Sequence, residues 1–310
     1  MSDYVQFRHE LSQNELYLGQ RDIDIVQKVE WKKDKHGAFI ASKQAVAEYE
    51  AALAAYAAQS EASKGIEANG VEMMKQPRLK PAEFTLVAKI SPSRCYLKPD
   101  GWKGPIEFTK TLADMKLECR LIAPGEAPFD QEFVLALENI RKLLDAGGTK
   151  GYKKQGIFDP QCNLNIKVRH VVFKHKNKNE GEKHEDNAFK LSDWPVNPHS
   201  PTALAAHKEM VAKDSHRVHP LPTYNVDGDL IAPADYSKLL PGAVVRAEIS
   251  ITHWVIANDN RDAYVAEIEC FRLIVPASAQ AQAQTGPSSI RKKKVLAEKD
   301  DGPSPKKVRT

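Results

Sequence analysis

The sequence predicts an α+β fold in which strands form an antiparallel barrel or sandwich and helices are inserted between them. Short strand-like segments follow one another from residue 83 to residue 123, and a long hairpin occupies residues 244–275. Helical segments at residues 130–148 and 201–216 separate these strands. Because strands and helices do not alternate one by one, the regular βαβ order of a parallel sheet is not expected.

An N-terminal helical extension, residues 1–82, precedes this core. Its main element is a helix predicted over residues 42–62, an alanine-rich segment that begins with Ser42. Alanine favours helices, and serine is a common residue at the N-cap of a helix. The polar residues 63–81 end in prolines, which predicts a loop before the core.

The core is predicted to comprise residues 83–276. Its first half contains four predicted strands, at residues 83–91, 95–98, 106–110 and 115–123. The helix that follows repeats apolar residues at helical spacing over residues 130–148. Gly147 and Gly148 supply its C-terminal stop. A charged loop is predicted over residues 176–187.

A strand predicted over residues 163–176 carries the first candidate binding residues. Its apolar face can enter a core, and its other face is formed by Asn163, Asn165, Lys167, Arg169, Val171, Phe173 and His175. Proteins hold single nucleic-acid strands with cations along the backbone and aromatic rings under the bases, so Lys167, Arg169 and Phe173 are candidate contacts. The competing interpretation is a solvent-facing strand whose charges provide solubility.

The segment 147–154, GGTKGYKK, is rich in glycine and in positive charge. It does not fit the P-loop pattern, but Lys150, Lys153 and Lys154 surround the aromatic Tyr152. One interpretation is a mobile basic loop that holds a nucleic-acid backbone. The other is a helix end followed by a solvated turn, and both stay open here.

The hairpin of residues 244–275 has an apolar and a polar face. The core side of its first strand holds Val245, Ala247, Ile249 and Ile251. The outer face is polar and partly aromatic, with Arg246, Thr252, Trp254 and Tyr264. A change of apolar phase in the second strand predicts a bulge near Phe271. Trp254 and Arg246 are candidate contacts, although Arg246 could instead form a surface ion pair with Glu248.

Several functional classes lack support in the sequence. No apolar run is long enough to span a bilayer, and the N-terminus does not resemble a secretory signal, so no membrane partner is expected. The four cysteines are far apart, which favours reduced thiols. His216 and His219 have no cysteine nearby, and no paired carboxylates stand out, so we expect no metal, no cofactor and no catalytic residue.

The C-terminal segment, residues 277–310, is expected to be a disordered linker and basic tail because it cannot build a core. Residues 291–310 contain eight Lys or Arg residues against three acidic ones, which leaves the rest of the chain close to neutral. Two basic clusters resemble a bipartite nuclear localisation signal and consist of Arg291, Lys292, Lys293, Lys294, Lys306, Lys307 and Arg309. We therefore expect a nuclear protein, with a nucleic-acid-binding arm as the competing interpretation.

One pattern extends over residues 222–254: an Asp-Gly turn, a short hydrophobic segment and a Gly-x-x-Val-Arg-Ala strand entry. The matching residues are Asp227, Gly228, Ile231, Gly242, Val245, Arg246 and Ala247, together with the closing strand from Ala266 to Leu273. The pattern resembles phage-type single-stranded DNA-binding proteins, including those of T7-like phages. The resemblance implies an oligonucleotide/oligosaccharide-binding (OB) barrel core. That family ends in an acidic tail that recruits replication partners, whereas this chain ends in a basic one.

The sequence therefore predicts a non-enzymatic single-stranded DNA-binding protein that acts in replication, recombination or repair. The alternatives are an RNA-binding protein on the same barrel and a scaffold protein that binds partners through the helix at residues 42–62. Expected partners are single-stranded DNA or RNA, a nuclear import receptor, and replication or recombination proteins. A second copy of the chain is a further candidate partner.

Overall fold

The computed structural model describes residues 2–35, 37–62, 76–107, 109–159, 162–176 and 189–277. The helices are α1 (Ser2–Gln13), α2 (Ile25–Lys28), α3 (Lys43–Ala62), α4 (Phe129–Gly147), α5 (Pro201–Lys213) and α6 (Tyr236–Leu239). The strands are β1 (Val29–Asp34), β2 (Gly37–Ser42), β3 (Phe84–Ile90), β4 (Lys116–Ile122), β5 (Lys153–Gln155), β6 (Phe158–Asp159), β7 (Cys162–Val171), β8 (Phe173–His175), β9 (His216–Val218), β10 (Thr223–Tyr224), β11 (Val244–Ile256) and β12 (Arg261–Val275). The predicted tail and the charged loop at residues 176–187 lie almost wholly outside the described residues.

The fold is α+β, and most of its strands belong to one large sheet with both parallel and antiparallel pairings. Ten strands form this sheet, in the order β1-β2-β11-β3-β4-β7-β12-β10, with β5 added to β12 and β6 added to β7. Strands β11 and β12 also pair with each other, so the pairings β3–β4–β7–β12–β11–β3 form a closed circuit. Strands β8 and β9 form a separate small sheet.

The sheet is mixed, which corrects the expectation of an antiparallel one. Strand β12 runs parallel to β7, to β5 and to β10. Parallel neighbours require a long crossover connection. The chain from β7 to β12 provides one, because it passes through α5 and α6 before it returns to the sheet.

The core lies inside this circuit of strands and beneath α4. The inward residues of β11 are buried as predicted, from Val245 to Ile251. Helix α4 packs its apolar stripe of Phe133, Leu137, Ile140 and Leu144 into the same core. The predicted N-cap is also present, because the Ala45 N–H donates to the Ser42 hydroxyl at 3.1 Å.

The N-terminal residues contribute to this same sheet and core. Strands β1 and β2 form a hairpin that joins the sheet through β11. Leu18, Ile25 and Ile40 are fully buried members of the main core. The domain boundary at residue 82 stays a prediction, but the hairpin and its core residues were not foreseen.

Two of the predicted strands are not found in the described part of residues 95–110. Residues 95–98 and 106–110 each contain only isolated bridges, Tyr96 with Glu118 and Ile106 with Thr109. Three prolines and two glycines lie in this part of the chain, Pro92, Pro99, Gly101, Gly104 and Pro105. Proline lacks a backbone donor and glycine weakens a strand, so continuous pairing is lost.

The strand predicted over residues 163–176 is interrupted, which corrects the prediction for Phe173. Val172 and Phe173 are both buried, because β7 ends at Val171 and the chain changes phase before β8. The Phe173 ring lies edge-on to Trp194, with the ring centres 5.6 Å apart. Phe173 is therefore a core residue and is not on the outer face with Arg169.

Tyr264 is likewise buried, although it was expected on the outer face of the hairpin. Its hydroxyl donates to the Leu144 carbonyl at 2.9 Å, at the end of α4, and its ring stacks on His253 at 4.5 Å. A satisfied hydroxyl allows a tyrosine to occupy a core. The predicted bulge is present, slightly earlier than expected, between Ile268 and Cys270 of β12.

Among the residues that the structure describes, no helix combines the length and the apolar character needed to cross a membrane.

Candidate nucleic-acid interface

The outer face of β4 and β7 carries a column of positive charge. The register places Glu118 opposite Arg169 and Arg120 opposite Lys167. Directly opposite residues share one face of a sheet, and Lys116 lies on that face two residues before Glu118. Like charges placed directly opposite each other destabilise a sheet, and here Asp159 offsets the charge of Arg120 while Glu118 offsets that of Lys167.

Acidic side chains accompany three of these cations. The Arg120 guanidinium lies 3.9 Å from an Asp159 carboxylate oxygen. The Lys167 ammonium lies 2.7 Å from a Glu118 carboxylate oxygen. The Arg169 Nε donates to Glu267 of β12, also at 2.7 Å. Both basic side chains remain partly exposed, so a polyanion could reach them and compete with the carboxylates.

The cations influence one another. Partial burial and the nearby charge of Arg169 lower the pKa of Lys116. A bound phosphate would offset the repulsion between Lys116 and Arg169, the second cause of this shift after burial.

Trp254 of β11 borders the positive column. Its side chain is half-buried, and the guanidinium carbon of Arg169 lies 6.0 Å from the centre of its ring. This distance is that of a cation–π contact. Trp254 pairs with Ala263 of β12 across the hairpin. The structure therefore brings together two residues that the sequence predicted separately, Arg169 and Trp254.

Tyr96 lies on the other side of the column and was not among the predicted contacts. Its N–H donates to the Glu118 carbonyl at 2.7 Å, which makes it a bridge partner on the same face as Glu118. The Tyr96 side chain is 61% exposed. The signal available in the sequence was its position between Arg94 and Lys98, two cations in a segment that forms no regular strand.

The basic loop after α4 is attached to the hairpin by a buried carboxylate, Asp262. Thr149 donates to this carboxylate through its N–H at 2.6 Å and its hydroxyl at 3.0 Å, and the His253 Nε2 lies 2.9 Å from it. Burial acts to raise the pKa of Asp262, but the hydrogen bonds from His253 and Thr149 outweigh it and the pKa is lowered.

The same loop reaches the edge of the interface through β5. Ala263 pairs with Gln155 of β5 on one side and with Trp254 on the other. Lys150 and Lys153 are exposed and Tyr152 is half-buried. Lys154 forms an ion pair with Asp145 of α4. The predicted loop residues therefore lie beside the strand that faces Trp254.

Arg246 lies at the other end of the hairpin, away from this group. It forms an ion pair with Glu248 at 2.9 Å. Burial, followed by the charges of Glu269 and Glu248, raises the pKa of the neighbouring Glu83. Arg272 lies directly opposite Arg246 on β12. The ion pair with Glu248 is the contact that the structural alternative expects, and the choice between that role and ligand contact stays a prediction.

The turn and strand-entry residues that carry the sequence resemblance lie in the segment that leads into β11 and at the start of this strand. Gly228 and Gly242 both adopt positive φ angles, +88° and +89°, which glycine tolerates without strain. Val245 is fully buried at the start of β11. The predicted nuclear localisation residues, from Arg291 to Arg309, lie outside the described residues.

A scan against known protein families gives no match. A search of curated proteins gives none either. Among solved structures, the chain is similar to gp2.5, a single-stranded DNA-binding protein encoded by bacteriophage T7. The TM-score is 0.36 and the sequence identity 13%, over 63% of this chain and 93% of that one.

Proposed function

We propose that this chain is a non-enzymatic single-stranded DNA-binding protein. Its interface is the outer face of β4 and β7, bordered by Trp254 and Tyr96. The observation that carries the proposal is the contact of Arg169 with Trp254 at the margin of a column of four cations. Cations beside accessible aromatic rings are the combination that binds single strands without reading their sequence.

The strand circuit supports an OB-type barrel. Its strands follow the order β3-β4-β7-β12-β11, so β4 and β7 are the second and third strands along the chain. In OB barrels these two strands, with the loops before the second strand and between the last two strands, bind oligonucleotides. Tyr96 lies in the first of these loops, and residues 257–260 form the second.

Aromatic side chains distinguish single strands from a duplex. A ring can stack on a base only when that base is not already stacked and paired, which favours single-stranded substrates. The phosphate contacts from Lys167 and Arg169 act on any nucleic acid. We infer that the preference for single strands depends on Trp254 and Tyr96, whereas the cations contribute the part of the affinity that is common to all nucleic acids.

Fluorescence titration with oligonucleotides of equal length tests this function. Single-stranded DNA, single-stranded RNA and duplex DNA are compared over a series of salt concentrations. The proposal expects single-stranded DNA to bind more tightly than the duplex, with an affinity that falls as salt rises. Equal binding of single strands and duplex, or no salt dependence, would reject it. Tighter binding of RNA would favour the RNA alternative on the same barrel.

A further inference from the structure

The β1–β2 hairpin continues the outer face of the sheet beyond β11. Lys32 lies opposite Phe39 within the hairpin, and Phe39 lies opposite Thr252 of β11. Thr252 in turn lies opposite Val265 of β12. Because directly opposite residues share a face, this row joins the face that carries Trp254, two residues further along β11.

A glycine allows the hairpin to approach Trp254 closely. Gly37 has a φ of +133°, a conformation that L-residues rarely adopt. A Cβ atom at this position would lie 2.7 Å from the His253 carbonyl oxygen and 2.9 Å from the Cδ1 of Trp254. The start of β2 therefore rests directly against the indole ring, so the hairpin and Trp254 form one continuous surface.

The hairpin presents the same chemistry as the interface itself. Phe39 is half-buried, which leaves part of its ring accessible. The Lys32 ammonium lies 3.2 Å from a Glu30 carboxylate oxygen, and its side chain is partly exposed. The hairpin thus places a cation directly opposite an aromatic residue on one face, the same two residue types that Arg169 and Trp254 contribute to the interface.

We propose that the β1–β2 hairpin is a second subsite for the same nucleic-acid strand. Phe39 stacks on a base, and Lys32 contacts a phosphate next to the nucleotide that binds at Trp254. This subsite rests on the function proposed above. Neighbouring strands lie about 4.8 Å apart, so the hairpin lengthens the interface by about 10 Å. Short oligonucleotides occupy the barrel alone, and longer ones also reach the hairpin.

A length series of oligothymidylates tests the subsite. OB domains bind about 4 to 16 nucleotides each, so wild type and Phe39→Ala are compared with oligomers of about 4 and about 16 nucleotides. We expect Phe39→Ala to weaken binding of the long oligomer roughly 5-fold to 100-fold, the loss of one stacked base. Binding of the short oligomer changes less than about twofold. Lys32→Ala reduces the salt slope of the long oligomer by about 0.7.

Two control variants separate stacking from folding. Phe39→Leu keeps an apolar side chain in the sheet, and we expect it to lose the same affinity for the long oligomer with an unchanged melting temperature. Tyr224→Ala removes another half-buried ring with a cation, Arg272, 4.6 Å from its centre, at the far end of β12. It should leave the affinities for both oligomers unchanged.

Four outcomes overturn the subsite. Equal affinities of wild type and Phe39→Ala for the long oligomer reject it and leave the proposed function intact. Equal losses for both oligomers, or recovery of affinity in Phe39→Leu, show that Phe39 acts only through packing. A wild-type protein that binds no oligonucleotide of either length rejects the proposed function together with the subsite.

Discussion

The guanidinium carbon of Arg169 lies 6.0 Å from the centre of the Trp254 ring. The two residues are distant in the sequence and belong to β7 and β11, which are separated in the sheet by β12. Glu267 of β12 accepts a hydrogen bond from the same guanidinium. The contact joins the positive column of β4 and β7 to the aromatic residue of the hairpin.

Replacing Arg169 tests the ionic part of this interface. We expect Arg169→Ala to weaken single-strand binding and to reduce the salt slope by about 0.7, because one phosphate contact is lost. Arg246→Ala is the matched control, since Arg246 is also partly exposed and paired with a glutamate of its sheet face. The salt slope of Arg246→Ala should equal that of wild type. Equal reductions in both variants would place the interface along β11 instead.

Replacing Trp254 tests the stacking part. We expect Trp254→Ala to cost about 1–3 kcal/mol of binding free energy with little change in the salt slope, because stacking is not ionic. Trp254→Phe should recover most of the affinity. An unchanged affinity in Trp254→Ala, measured by calorimetry, would show that the ring has no contact with bases.

Glu267 competes with nucleic acid for Arg169 in the proposed interface. We expect Glu267→Gln to tighten single-strand binding about twofold to fivefold at low salt, the effect of releasing one surface ion pair. Glu209→Gln makes the same change of charge on α5, where Glu209 pairs with Lys213, and should have no such effect. Weaker binding in Glu267→Gln would instead mean that Glu267 holds Arg169 in position.

The sequence predicted those elements that depend on residues close together in the chain. The strands of the 244–275 hairpin follow from alternation, and the start of α3 follows from Ser42. Tyr264 could not be placed in this way, because its hydroxyl partner is the Leu144 carbonyl at the end of α4. The alternation of buried and exposed residues shifts by one position at Val172, which places Phe173 in the core. No residue type at this position indicates the shift.

The candidate site depended on long-range pairing. Lys167 and Arg169 were predicted from one strand and Trp254 from another, but their proximity requires the parallel pairing of β7 with β12. The sequence indicated the role of Tyr96 only weakly. Its bridge to Glu118 lies outside any regular strand, so no alternating pattern assigns its side chain to a face. The charged edge strand β1 has the sequence VEWKKD, in which the alternation of apolar and polar residues covers only Val29 to Lys32.

Asp262 is expected to stabilise the fold by attaching the loop after α4 to the hairpin. Asp262→Ala leaves the partly buried donors of Thr149 and the buried His253 without their acceptor, which should cost about 2–4 kcal/mol of unfolding free energy. Asp259→Ala, at an exposed position in the turn of the same hairpin, is the control. Urea denaturation of both variants measures the difference, and equal costs would contradict the role given to Asp262.

The same carboxylate predicts a pH dependence of stability. The folded-state pKa of Asp262 is lowered, so its contribution is fully present above its unfolded pKa of about 3.9 and is lost as the pH falls through the lower folded value. Wild type should therefore lose more stability than Asp262→Ala as the pH falls from about 5 into the acid range. Parallel acid-denaturation curves for the two proteins would contradict this prediction.

The basic tail is proposed to direct the protein to the nucleus. Deleting residues 290–310 should abolish nuclear accumulation of a fluorescent fusion, because both basic clusters are removed. Thermal melting should be unchanged, since the buried core residues that the structure describes run from Leu11 to Leu273. A deletion variant that remains nuclear would reject the localisation signal, and a loss of oligonucleotide affinity would favour a nucleic-acid-binding arm.

Photocrosslinking tests the central claim most directly. A single-stranded oligonucleotide that contains 5-iodo-deoxyuridine is irradiated in complex with the protein, and the crosslinked residues are identified by mass spectrometry. A nucleic-acid strand that crosses β4 and β7 should crosslink to Trp254 and to Tyr96, the aromatic residues on either side of the positive column. Crosslinks to Tyr224 in place of these two residues, or a stable complex with no crosslink to either, would contradict the account.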